Sequence, residues 1–319
     1  MTSEERSTMQ LEGIHHITCI TADAPGNVAF YVGTLGLRMV KKTVNQDDPT
    51  VYHLFYADEQ GSAGSAITFF EYPGVPPGRA GAGMVHTIVW RVASKEALDF
   101  WEIRLGDAGI AAERHNGSLR FTNPEGLAHE LKVDQTGDPP LRGAHPDIPD
   151  EVALGGFDAV RAYSADVSAS ESLLTDVMGF DRLSDHEWDA RGAERGGRYV
   201  YDPAPNRRGL GGAGAVHHVA WASGMDDHDA WRERVAGAGM SVTPVVDRFW
   251  FRSIYFREPS GVLFEIATLG PGFTADEPLE TLGQALTLPP AFESLREQLE
   301  RQLTPLPNPE DLRRSGARS

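Results

Sequence analysis

An internal repeat restricts what this chain can fold into more than any compositional figure does. LEGIHHITCI at 11–20 resembles LGGFDAVRAY at 154–163, AGMVHTIVWRV at 82–92 resembles AGAVHHVAWAS at 213–223, and NPEGLAHELKV at 123–133 resembles EPSGVLFEIAT at 258–268. The offsets are 143, 131 and 135 residues, so the first half of the chain is duplicated in the second. Each half divides again. Every quarter opens on an apolar strand, enters a short amphipathic helix and continues through strand-like runs separated by Gly, Asp or Pro.

The helices carry their own signals. Val28, Tyr31 and Leu35 share a face behind Pro25 and ahead of Gly36. Ser94 is placed to cap a helix carrying Leu98, Trp101 and Leu105. Leu173, Leu174, Val177 and Met178 precede Gly179, and Trp231 and Val235 precede Gly237. The expected fold class is therefore α+β, built from four βαβββ modules over 11–80, 81–133, 154–212 and 213–270. A Pro- and Gly-rich linker covers 134–153, and 271–319 reads as a C-terminal extension. Within that extension an amphipathic helix is expected at Phe292, Leu295, Leu299 and Leu303, followed by a disordered polar tail.

Charge and cysteine content narrow the function. A formal net charge of -17 argues against nucleic acid and anionic membrane as partners, because phosphate binding needs a basic patch. The single cysteine, Cys19, rules out an intrachain disulfide and a thiolate metal cluster, and is expected to be an inert buried thiol. The first residues, MTSEERSTMQ, lack the apolar core of a secretory signal, and no apolar run approaches the roughly 20 residues of a membrane span. A cytoplasmic protein is expected, with a homo-oligomer left open.

Two histidine pairs interrupt otherwise apolar strands. Alternate strand residues share a face, which groups Ile14, His16, Thr18 and Ile20 in the first quarter and Val216, His218 and Ala220 in the fourth. His15 and His217 then point the other way, towards the helix layer. Near the end of the fourth quarter Leu263, Glu265 and Ala267 share a face, and a carboxylate there is costly unless a cation meets it. Singly, each residue has a plain structural explanation: a satisfied core histidine, or a glutamate facing an arginine. Together, in matching positions of repeated units, two histidines and a carboxylate suit a divalent metal and match the facial triad of non-haem Fe(II) oxygenases.

Aligning the quarters tests the set. The first-strand position reads His16, Thr87, Ala159 and His218, and the last-strand position reads Thr68, Glu130, no clear carboxylate, and Glu265. Pairing neighbouring quarters gathers only two ligands in each pair, whereas pairing the first with the fourth gathers three. The site should be built from the two ends of the duplicated region. Glu130 and Thr87 should lie in a second cleft made with the third quarter.

The stretches GIHHIT at 13–18, YHLFYADEQGSAGSAITFF at 52–70, AVHHVA at 215–220 and DRFWFRSIYFREPSGVLFEIAT at 247–268 resemble the vicinal oxygen chelate (glyoxalase/bleomycin resistance/dioxygenase) superfamily. Within it they are most similar to ring-cleaving dioxygenases of the hydroquinone-dioxygenase type. The resemblance covers 11 to about 290 and implies two half-open barrels. It further implies Fe(II), with Mn(II) accepted by the same donors, held by His16, His218 and Glu265. Catalytic roles for Arg248 and Tyr255 follow from the same likeness, with lesser roles in substrate binding or metal support for His15, Thr18 and His217. A small dihydroxyarene and O₂ would be the substrates, both oxygen atoms ending in an open-chain acid. A glyoxalase-type isomerase or lyase is the rival on the same scaffold, although that chemistry generally uses a fourth protein ligand and Thr68 occupies its position. A metal-free small-molecule binding protein is the other. GLGGAG at 209–214 has dinucleotide-loop spacing but precedes a strand, so it carries no nucleotide reading.

Overall fold

The computed structural model describes residues 9–315. The first quarter contributes β1 (Leu11–Thr21), α1 (Ala24–Val28), β2 (Arg38–Asn45), β3 (Asp48–Ala57) and β4 (Ala66–Glu71). The second contributes β5 (Met84–Val92), α2 (Lys95–Asp107), β6 (Ala112–His115), β7 (Ser118–Thr122) and β8 (Ala128–Val133). Next come β9 (Phe157–Ser164), α3 (Ser168–Ser172), β10 (Asp181–Ser184), β11 (Glu187–Arg191) and β12 (Gly196–Pro203). The fourth supplies β13 (Val216–Ser223), α4 (His228–Gly237), β14 (Val246–Asp247), β15 (Arg252–Arg257) and β16 (Leu263–Thr268). After them lie α5 (Arg296–Gln302) and α6 (Pro309–Ser315).

Local chemistry explains the helix ends. The Asp23 carboxylate accepts from Gly26 N at the start of α1, with Pro25 in the first turn. The Ser94 hydroxyl accepts from Ala97 N at the start of α2. Helices α1 and α3 both run into a π turn, Ala29–Thr34 and Leu173–Val177, and the chain leaves each at a glycine with φ of 72°, Gly36 and Gly179. Only glycine takes that left-handed conformation without strain.

The strands form two eight-stranded sheets, ordered β14-β15-β16-β13-β1-β4-β3-β2 and β10-β11-β12-β9-β5-β8-β7-β6. Each is a half-barrel. Antiparallel pairing of β1 with β13 joins the first quarter to the fourth, and pairing of β5 with β9 joins the second to the third. In each quarter the first strand also pairs in parallel with the last, as in β1 with β4 and β13 with β16. One hydrophobic core runs through both sheets and the helices, with Trp90, Trp101, Trp188, Trp221 and Trp231 fully buried in it. A second, smaller cluster of Phe55, Ala66, Ala220, Trp250, Phe251 and Phe273 lines the inner face of the first sheet.

Strand alternation breaks where the histidine pairs lie. The β1–β13 register passes from Ile14↔Trp221 to His16↔Ala220, leaving His15 unpaired, and from Thr18↔His218 to Cys19↔Val216, leaving His217 unpaired. These are β-bulges, with the first histidine of each pair as the extra residue. The expectation that Ile14 shares a face with His16 is therefore wrong. Ile14 joins Ile17 and Cys19 in the main core, while His16 and Thr18 lie on the inner face. Cys19 is buried, and burial pushes its thiol well above the ordinary range.

The C-terminal extension straps the first sheet. The amphipathic segment folds as a 3-10 turn, Pro290–Leu295, followed by α5, burying Leu299 and Leu303. The tail expected to be disordered instead forms α6 up to Ser315, where Leu312 packs on the core and Arg313 pairs with Glu59 at 2.6 Å. Residues 316–319 of that expected tail lie outside the described residues. Among the described residues no helix is long and apolar enough to cross a membrane.

Lys41, fully buried on β2, anchors the strap. Its Nζ donates to Asp276 at 2.8 Å, to the Phe273 carbonyl at 3.2 Å and to Glu277, and lies 5.1 Å from the Trp250 ring centre. Removing one partner of a buried charge pair strands the other. Lys41→Met should lower unfolding stability by about 3–5 kcal/mol, read by urea denaturation.

Candidate metal centre

His16 and His218 come from the paired central strands of the first sheet, and Glu265 from the neighbouring strand β16. All three are buried. His218 Nε2 lies 2.9 Å and His16 Nε2 3.4 Å from Glu265 Oε2, and the two Nε2 atoms are 3.3 Å apart. Glu265 Oε1 accepts a 2.5 Å hydrogen bond from Ser253, whereas the buried Oε2 has no hydrogen-bond partner. Among the described residues this is the one group of three or more His, Cys, Asp or Glu side chains placed so that it could hold a metal ion.

The bulged histidines contact the candidate ligand pair through Nδ1. His15 Nδ1 lies 2.8 Å from His16 Nδ1, and His217 Nδ1 lies 2.8 Å from His218 Nδ1. For Nε2 of His16 to present a lone pair, its Nδ1 must carry the proton and donate it to His15 Nδ1. His15 then carries its own proton on Nε2, which is 3.2 Å from the Thr268 carbonyl. The same logic makes His217 Nδ1 an acceptor. Burial, and then the neighbouring His16, lowers His15 to about 3. Desolvation in the cleft and His218 lower His217 to about 4, so both are neutral at pH 7 and able to accept. Burial also lowers His218. Burial alone would push Glu265 up, but the two imidazoles hold it well below the usual carboxylate range. Two imidazoles that can each present Nε2 and a carboxylate with an unpartnered oxygen form a donor set that fits a divalent cation.

Neither bulged histidine faces the helix layer, contrary to strict alternation. His15 packs against Phe251 at 5.3 Å between ring centres, and His217 lines the cavity in front of the triad, 5.5 Å from Phe70. Thr18 lies on the inner face but is fully buried and does not line the cavity. Its hydroxyl is 2.8 Å from that of Thr68. Thr68 sits where the internal symmetry places the counterpart of Glu265, and it also contacts His53 Nε2 at 2.9 Å.

The cavity holds about 440 Å³ and has aromatic walls that include Phe55, Phe70, Trp250 and Tyr255. Arg248 Nε donates to Tyr255 Oη at 3.2 Å, and its guanidinium rests 5.4 Å from that ring. Burial raises the Tyr255 phenol, with Glu265 adding to the effect, so it stays protonated. Burial opposes the Arg248 charge, but Asp47 and Tyr255 more than offset it. Four residues around the site were missed in the sequence: Ser253, which donates to Glu265, and His53, Gln46 and Asp47, which line the cavity. His53 and Ser253 occupy matching places, opposite Phe70 and Ala267, so aligning β3 with β15 could have found them.

The second half-barrel repeats the carboxylate without the histidines. Glu130 Oε1 accepts from Ser118 at 2.7 Å, as Glu265 does from Ser253, but Arg120 Nε fills its Oε2 at 2.9 Å. The ligand-histidine positions hold Thr87 and Ala159 on β5 and β9.

The family model described as Glyoxalase/Bleomycin resistance protein/Dioxygenase superfamily matches residues 13–131 and 156–266. The chain belongs to this superfamily. Among its relatives in the superfamily is "Putative ring-cleaving dioxygenase MhqA" of Bacillus subtilis, 36% identical, with 93% of this chain and 100% of that protein covered. "Chlorohydroquinone/hydroquinone 1,2-dioxygenase" of Sphingobium indicum is 31% identical, covering 92% of this chain and 96% of the relative. The crystal structure of a "putative dioxygenase" from Bacillus subtilis superposes with a TM-score of 0.85 at 37% identity, covering 93% of this chain and 98% of that one. The two sheets of one superfamily scaffold thus differ in what meets the buried carboxylate. Glu265→Gln should weaken binding of a divalent ion by at least tenfold in calorimetric titration, on the order of one charged ligand's contribution, whereas Glu130→Gln should leave it unchanged.

Proposed function

We propose that this chain is an Fe(II)-dependent dioxygenase that opens the ring of a hydroquinone- or catechol-type dihydroxyarene with O₂. The observation carrying this reading is the convergence of His16 Nε2, His218 Nε2 and the unpartnered Glu265 Oε2 at an aromatic-walled cavity. Relatives named as ring-cleaving dioxygenases, one of them for hydroquinone, support it. Those three groups would hold the iron, with Mn(II) accepted by the same donors. When bound, such an ion would supply a path for electron transfer from the ionised arene to O₂. An isomerase of the glyoxalase type is disfavoured because Thr68, at the fourth-ligand position, is engaged by Thr18 and His53.

The protein's own residues bind and polarise. Phe55, Phe70 and Trp250 offer faces for a flat ring and exclude water from it. Tyr255 Oη accepts from Arg248 Nε, which leaves the phenolic proton free to donate to an oxygen in the cavity. Arg248 remains charged and sits beside that oxygen, where it stabilises negative charge as the ring is attacked. His15 and His217 keep the ligand imidazoles in the required tautomer.

Loading with Fe(II) under anaerobic conditions, followed by oxygen-electrode measurement with hydroquinones and catechols, tests the reading. Oxygen uptake matched to a ring-opened product is expected, with about one ion per chain. Full activity in demonstrably metal-free protein would sink it. His16→Ala should abolish iron retention while the circular dichroism spectrum is kept. Tyr255→Phe and Arg248→Ala should retain iron and slow turnover on the order of 10²-fold.

A further inference from the structure

Arg248 is the sole arginine or lysine lining the cavity among the described residues, and both of its terminal nitrogens are already engaged. Its Nη1 and Nη2 donate to the two oxygens of Asp47 at 3.0 and 2.9 Å, a two-pronged pairing, while Nε donates to Tyr255. Asp47 comes from the other end of the duplicated region, on the tight turn between β2 and β3. That turn is fixed at two points: Asn45 Oδ1 accepts from Asp47 N at 3.0 Å, and Gln46 Nε2 donates to the Arg248 carbonyl at 2.8 Å. The pair therefore spans the mouth between the first and fourth quarters. Both residues line the cavity, and with the Arg248 side chain 17% exposed and that of Asp47 71%, the carboxylate is the solvent-facing member of the pair.

We propose that Asp47 determines specificity by occupying the guanidinium fork of Arg248 and placing a negative charge at the entrance, so that the cavity selects dihydroxyarenes without a ring carboxylate. The inference rests on reading this cavity as the substrate site. A guanidinium fork matches a carboxylate in geometry, and a free Arg248 would bind an aryl carboxylate well. With Asp47 in place, an arene acid must displace an equivalent carboxylate and pass its repulsion, while a neutral hydroquinone meets neither obstacle. Tyr255 retains its proton in both cases, so the donor to a phenolic oxygen is unaffected. Asp47 also positions Arg248, since it holds the guanidinium against the Tyr255 ring.

The test compares 1,4-dihydroxybenzene with 2,5-dihydroxybenzoate, the same ring bearing a carboxylate. Dissociation constants are measured by anaerobic calorimetry on the folded wild-type protein and its variants. The ratio of the acid's constant to the neutral compound's should fall about tenfold in Asp47→Asn and in Asp47→Ser, and return to the wild-type value in Asp47→Glu. In the double variant Asp47→Asn/Arg248→Gln the fall should vanish. An unchanged ratio in both single variants, or a fall that persists in the double variant, would overturn the proposal. Because binding is read without oxygen, a lack of turnover on hydroquinone would defeat the dioxygenase reading separately and would leave this ratio to decide the specificity claim.

Discussion

A carboxylate buried in the middle of a β-sheet needs positive charge beside it, and much of this structure follows from the different answers its two sheets give to that need. Leaving an ion unpaired in the interior costs several kcal/mol even after relaxation. The second half-barrel places Arg120 against Glu130 and closes the account within the side chains. The first has no such arginine at Glu265. It brings two imidazoles from opposite ends of the duplicated region and leaves one carboxylate oxygen without a hydrogen-bond partner. Duplicated scaffolds thus provide their own control, since one sheet shows what the fold does when the carboxylate is merely structural.

The bulges at His15 and His217 are the second device. A regular strand would send every other residue to the far face, and a histidine pair would split between the cavity and the core. Inserting one extra residue lets both members of each pair stay near the cavity, joined through Nδ1. The same slip occurs in the other sheet, where His86 is the extra residue and its Nδ1 contacts Thr87 Oγ1 at 2.9 Å. The irregularity is common to both sheets, whereas the second imidazole beside it is found only in the first.

The quarters, their helices and the convergence of three side chains were legible because the repeat made position meaningful: His16, His218 and Glu265 stood out only when compared with Thr87, Ala159 and Thr68. Alternation failed at Ile14, His15 and His217, because a bulge leaves no mark in hydropathy and depends on the partner strand. Lys41 was invisible for a related reason. In RMVKKTVN it looks like a solvated charge, and only the return of Asp276 and Glu277 from the far end of the chain makes it a buried one. The Asp47–Arg248 pair likewise joins residues some 200 positions apart with no local signal. The polar tail misled because a few contacts, Leu312 on the core and Arg313 on Glu59, suffice to dock a helix of weak hydrophobicity.

The strap formed by the extension has a consequence for the order in which the molecule is made. Trp250 donates to Asp276 at 2.9 Å and stacks near Lys41, so this wall of the cavity is braced by residues that leave the ribosome after all sixteen strands. The second and third quarters are neighbours in sequence and can pair while synthesis continues. The first quarter must wait for the fourth, leaving the β13-facing edge of its central strand and its part of the candidate metal centre unpaired through most of translation. The nascent chain therefore carries an exposed apolar strand edge for longer than the other half-barrel does, and the cavity in front of the candidate metal centre is the last part of the protein to come into being.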